Sequence, residues 1–159
     1  MKIVIPIKPT AQMRTEVGVI KFRDGSTRGN AHKKKQQVSN ENTIKAFLAQ
    51  YKPAKPLSGA LLLGLRVYLP LLKNKPKWFT GTAKEFRALA LKGVVRPISK
   101  PDMDNLTKQI KDCMTQCEIW TDDSRVVGYL PHFGKYYSEE PRWEIEVVPF
   151  HPELYQEVR

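Results

Sequence analysis

The chain has 159 residues, 41% of them hydrophobic, and a formal net charge of +11, which suits one ordinary domain with a single core. A positive surplus of this size favours phosphate backbones over neutral metabolites, and nucleic acid over an anionic membrane surface. Arg66 and Pro70 interrupt the longest apolar run, Leu57 to Leu72, leaving it short of the roughly 20 residues of a membrane span; with no export-like stretch at Met1–Pro6, a cytoplasmic protein is expected.

The charge is segregated. Residues 1–100 carry 21 Lys and Arg against 4 Asp and Glu, whereas residues 101–159 carry 6 against 12. A basic binding surface is therefore expected early in the chain and acidic chemistry late. A merely solvating charge distribution, the plainer alternative, would not divide this way.

Ile3, Ile5 and Ile7 alternate in a first strand over 2–8, which Pro6 confines to a sheet edge. From about 9 to 38 the chain lacks apolar periodicity and carries Arg28, His32, Lys33, Lys34 and Lys35, which predicts a mobile basic loop facing DNA. Ser39 or Asn40 then suits the cap of a helix whose Ile44, Phe47, Leu48 and Tyr51 keep helical spacing until Pro53. Alternation of Leu57, Leu61, Leu63, Leu65, Val67 and Leu69 predicts a long strand with its apolar face against helices. Thr82-Ala83-Lys84-Glu85 is a capping-box sequence opening a short helix that Gly93 can close.

From Asp102 to about Cys117, Met103, Leu106, Ile110, Cys113, Met114 and Cys117 share one side of a helical wheel. Asp104, Lys108 and Asp112 fall at i, i+4 and i+8 on the other. The two cysteines, both on the packing side, read as buried thiols rather than a disulfide or zinc site. Asp122-Asp123-Ser124 reads as a turn, Arg125–Leu130 as a strand, and Trp143, Ile145 and Val147 mark a final strand. The tail from about 151 to 159 carries no pattern. His132 and His151 read as ordinary surface or packed residues.

Magnesium sites in nucleases need only a few carboxylates, often from a helix start and a nearby turn. Asp102, Asp104 and Asp123 suit that, because the 19 residues from Asp104 to Asp123 allow the chain to descend one helix and return. Each part has a plainer reading. Asp102 is equally an N-cap, Asp104-Lys108-Asp112 a solvated salt-bridge ladder worth a few tenths of a kcal/mol per pair, and Asp122-Asp123 a simple turn. Together, adjacent acids beside further acids call for a cation or base to relieve their repulsion.

The run Lys100-Pro101-Asp102-x-Asp104-Asn105-Leu106-x-Lys108-x-x-x-Asp112, followed by Ile119-Trp120-x-Asp122-Asp123-Ser124-x-Val126, resembles the signature of the RusA family of Holliday junction resolvases. The likeness extends through Gln12-x-Arg14, the strand end Tyr68-Leu69-Pro70 and Lys135-x-Tyr137-Ser138.

This resemblance implies an α+β fold in a single domain over 1–159, a mixed β-sheet packed with helices, and a homodimer. It implies a crossover junction endodeoxyribonuclease that resolves four-way junction DNA by paired nicks in opposed strands during recombination and repair. Magnesium is the implied cofactor, with manganese as a substitute ion and no organic cofactor. By the same pattern Asp102, Asp104 and Asp123 hold the metal, Lys108 neutralises charge, and Asp112 and Asp122 are supporting acids; Asp123 is preferred to Asp122 as the direct ligand. Arg14, Arg28, Lys33, Lys34, Lys35 and Lys135 are the expected DNA contacts. The competing readings are another metal-dependent nuclease acting on flaps or branched DNA, and a non-catalytic basic DNA-binding protein.

Overall fold

The computed structural model describes residues 1–11, 16–32 and 35–155. In chain order its elements are β1 (Lys2–Ile5), β2 (Glu16–Lys21), β3 (Thr27–His32), α1 (Lys35–Leu48), β4 (Leu61–Pro70), α2 (Ala83–Leu91), α3 (Met103–Gln116), β5 (Val126–Tyr129), β6 (Gly134–Ser138) and β7 (Arg142–Pro149). The fold is mixed α+β. Strand β4 is central to the main sheet: β7 runs antiparallel along one side of it, while β5 and β6 follow each other, both parallel, along the other. Strand β1 pairs only with β7 and forms the edge, and it stops at Ile5, directly before the proline that cannot donate to a ladder.

Period-two alternation sets the core. Leu61, Leu63, Leu65, Val67 and Leu69 are buried together with Ile3, Ile5, Trp143, Ile145 and Val147, and the register places Ile145 beside both Ile3 and Leu65. Ile44 and Leu48 of α1 and Leu106, Ile110, Cys113 and Met114 of α3 complete that cluster. Each such side chain contributes about 1.5–3 kcal/mol by leaving water. A smaller cluster joins Phe86 and Ala90 of α2 to Tyr137 of β6. Helix α2 starts as its sequence predicts, with the reciprocal Thr82–Glu85 capping box formed and Gly93 in the left-handed region at φ 72° beyond its end.

Helices α1 and α3 meet near their C-terminal ends. Lys45 Nζ donates to Gln116 Oε1 at 3.2 Å, Cys117 Sγ approaches the Lys45 carbonyl, and Lys52 pairs with Glu118 just beyond both helix ends.

Three expectations need correction, and one strand, β6, is an addition to them. The segment 9–38 is not one loop, because β2 and β3 form a two-stranded antiparallel hairpin and α1 already begins at Lys35. That helix starts ahead of Ser39 because Gln37 and Glu41, polar but buried, continue the inward row of Ile44 and Leu48. Leu57 lies outside β4, cut off by Gly59 at φ 86°, and bridges instead to Trp120. Strand β6, which shows no clear alternation, forms where Lys135-x-Tyr137-Ser138 pairs with Val67–Pro70. Among the described residues no helix is long and apolar enough to cross a membrane, and both cysteines are free thiols.

Candidate active site

One turn of chain supports the start of α3. Lys135 Nζ donates to the carbonyls of Ser99 at 2.8 Å and Pro101 at 3.0 Å, so β6 holds the loop that delivers Asp102 and Asp104. Asp102 occupies the N-cap position with extended backbone, yet its side chain makes no capping hydrogen bond. Its carboxylate is exposed. Asp104, in the first helical turn, stands at the positive end of the helix dipole.

A second anchored segment delivers the other acids. Beyond α3, Glu118 reverses the chain at φ 54°, and Leu57 clamps the next three residues by donating to the Ile119 carbonyl at 2.9 Å and accepting from Thr121 N–H at 3.0 Å. Trp120 is buried and donates through Nε1 to Thr115 Oγ1 at 2.7 Å. From this fixed point the chain turns through Asp122 and Asp123. Asp122 folds back on its own turn, accepting from Ser124 N–H at 2.8 Å, and hydrogen bonds from Ser124 hold its carboxyl below the usual carboxylate range. Asp123 meets Lys111, with Nζ to Oδ2 at 3.3 Å.

These segments converge on an open cleft of about 510 Å³. Asp104, Lys108, Lys111 and Asp112 line it from α3, Asp123 from the turn, and Tyr129 and Phe133 from the end of β5 and the loop after it. Thr107 also lines it, with its hydroxyl committed to the Met103 carbonyl at 2.7 Å. Asp102 and Asp122 are not part of the lining. Among the described residues no three His, Cys, Asp or Glu side chains converge on one point. Sequence reasoning missed Lys111, although it stands seven residues after Asp104, two helical turns on, and so on the same face. It also missed Tyr129 and Phe133, which carry no motif.

The expected DNA contacts divide. Arg28 is exposed on β3 and Lys35 exposed at the start of α1; Lys135 has its ammonium on two carbonyls. Arg14, Lys33 and Lys34 lie outside the described residues. His132 lies within 3.5 Å of Glu146.

A family model described as Endodeoxyribonuclease RusA matches residues 6–148. The uncharacterized protein YqaN of Bacillus subtilis (strain 168) is 35% identical over 99 residues, 62% of this chain, which spans 64% of that relative. The crossover junction endodeoxyribonuclease rusA of Lactococcus phage r1t is 29% identical over 111 residues, 69% of this chain and 72% of that protein. The family match begins just after β1 and takes in β4, α3, the Asp122-Asp123 turn, β5, β6 and nearly all of β7, and the chain belongs to the RusA family of endodeoxyribonucleases, enzymes that hydrolyse phosphodiester bonds within DNA strands.

Proposed function

We propose that this protein is a homodimeric, magnesium-dependent resolvase that acts in the cytoplasm on four-way DNA junctions, nicking two opposed strands in recombination and repair. The observation that carries this reading is the shared cleft of Asp104, Asp123, Lys108 and Lys111 in a chain of net charge +11. Carboxylates alone would repel a phosphodiester. Carboxylates with lysines suit a cation and the phosphate it serves.

The donor set is carboxylate oxygen throughout, the chemistry magnesium prefers, with manganese as a substitute ion. Asp104 and Asp123 would hold the ion from the cleft, joined by Asp102, whose carboxylate no capping bond engages. Two carboxylates in the cleft are enough for magnesium, which takes one or two carboxylates and fills its shell with waters and substrate phosphate oxygens. A bound ion supplies Lewis-acid polarisation of the phosphate and a more acidic attacking water.

The chain's own residues do the rest. Lys108, exposed and flanked one turn away by Asp104 and Asp112, offers a fixed positive charge to the oxygens on which negative charge develops. Lys111 holds Asp123 toward the cleft, and Asp122 holds the turn. Arg28 and Lys35, with Arg14, Lys33 and Lys34, supply sequence-independent phosphate contacts. A two-fold junction suits a two-fold protein, since one site presented twice reaches two strands related by the same axis.

The test compares four-way, three-way and linear DNA with wild type and Asp104→Asn in magnesium. Paired nicks confined to the four-way substrate, lost in the variant while binding persists, are expected. Equal cutting of linear DNA by wild type would replace junction resolution with general nuclease action, and undiminished cutting by Asp104→Asn would remove the proposed centre.

A further inference from the structure

Tyr129 borders two cavities at once. On one side is the acidic and lysine-bearing cleft. On the other is an apolar groove of about 460 Å³ whose walls include Leu62, Val127, Leu130, Pro131 and Phe150, without a charged side chain. Tyr129 is 51% exposed. Phe133, itself packed against the core, backs its ring with centroids 4.2 Å apart and planes at 45°. The ring is therefore displayed yet held. It also sits six residues after Asp123, at the far end of the four-residue strand β5, so the short strand fixes its distance from the cleft acids.

Chemistry that changes sign across one aromatic ring matches a nucleotide, whose phosphate is anionic and whose base has two apolar faces. We propose that Tyr129 is a base platform: an unstacked nucleobase beside the cleaved phosphate lies against Tyr129 in the apolar groove while its phosphate occupies the cleft with Lys108 and Lys111. This rests on the nuclease reading above and extends it to how branched DNA is selected. A base within continuous duplex must lose its stacking to enter the groove, whereas a base at a branch point is already weakly stacked and enters at lower cost. Aromatic stacking accepts any base, because every base has a π-face, so the groove selects for local opening rather than sequence.

The experiment measures binding of four-way junctions in EDTA, where no cutting occurs, with a tetrahydrofuran abasic analogue placed at each nucleotide within two of the branch point. Tyr129→Ala is expected to weaken binding of the intact junction about tenfold, and Tyr129→Trp to preserve it. At one position the abasic analogue should weaken wild-type binding by the same factor and weaken Tyr129→Ala no further. Additive losses at every position, or equal binding by wild type and Tyr129→Ala, overturn the proposal. So does a changed sedimentation mass of Tyr129→Ala without DNA, which would give the groove to a second copy of this chain. Because the readout is binding without metal, failure of the nuclease reading shows separately, as absent cleavage in magnesium with the base effect intact.

Discussion

Lys111 Nζ lies 3.3 Å from Asp123 Oδ2, joining the third turn of α3 to the turn that opens β5. Asp123 is about half exposed, so the pair contributes at most about 1 kcal/mol to stability. Its consequence is positional: the ammonium draws the carboxylate to the cleft and offsets its charge.

Lys111→Met should therefore separate two effects. Removal of the competing ammonium should lower the magnesium concentration that gives half-maximal single-turnover cutting several-fold. Loss of the positioning contact should lower the saturated rate on the order of tenfold. A magnesium titration of both proteins reads the two numbers independently, and an unchanged midpoint would mean that Lys111 and the ion do not share Asp123.

Lys135 makes the opposite forecast to a phosphate-binding lysine. Its ammonium is committed to the Ser99 and Pro101 carbonyls, and hydrogen bonds from charged donors of this kind are worth about 1.5–3 kcal/mol. Lys135→Ala should lower thermal stability and slow cleavage while leaving the salt dependence of junction binding unchanged. A phosphate contact would instead reduce the logarithmic salt slope by about 0.9.

Where a face is buried, the sequence announced the element. Strands β1, β4 and β7 alternate because the core accepts every second residue, and α3 shows its wheel because packing and cleft faces are opposite. The hairpin of β2 and β3 was hidden for the same reason in reverse: Val19, Ile20 and Phe22 are all exposed, so neither face imposes a period. Its readable signal was Asp24-Gly25, where Asp24 Oδ1 accepts from Ser26 N–H at 2.9 Å and Gly25 takes φ 81°. The early turn of α1 was hidden because Gln37 and Glu41 are buried polar residues, with Gln37 Nε2 donating to Glu41 Oε1 at 2.9 Å, and an apolar pattern does not count them. At the site, the motif marked the acids and Lys108, and helical spacing from Asp104 would have found Lys111, whereas Tyr129 and Phe133 enter the cleft through tertiary placement.

The thiols give a pH test of the helix layer. Burial, aided by the nearby Glu41 charge, pushes Cys113 from an ordinary 9.0 up to about 12, and burial also raises the half-buried Cys117. A raised thiol pKa means the folded state stays protonated where the unfolded state ionises. Stability should thus be unaffected below about pH 9 and fall as pH rises from there toward 12. Cys113→Ala should flatten that part of the profile while lowering stability overall through the cavity it leaves. At pH 8 iodoacetamide should modify Cys117 before Cys113 in the native protein, and mass spectrometry of the peptides reads the order.

Lys108 decides between a solvated ladder and a catalytic face on α3. It stands one turn after Asp104 and one before Asp112, exposed in the cleft, and both readings use the same geometry. As a ladder residue it contributes a few tenths of a kcal/mol to the helix, so Lys108→Ala would lose little stability and no activity. As the fixed charge beside the transferring phosphate, its loss should leave folding and junction binding near wild type and cut the rate on the order of a hundredfold or more. Single-turnover cutting with enzyme in excess isolates that step from binding and product release. Lys108→Arg adds the finer distinction: it restores charge on a longer, planar group, so partial recovery is expected if charge is what the phosphate needs at that point. A near-normal rate for Lys108→Ala would leave the aspartates as the chemical core of the cleft and return this lysine to the solvated surface of its helix.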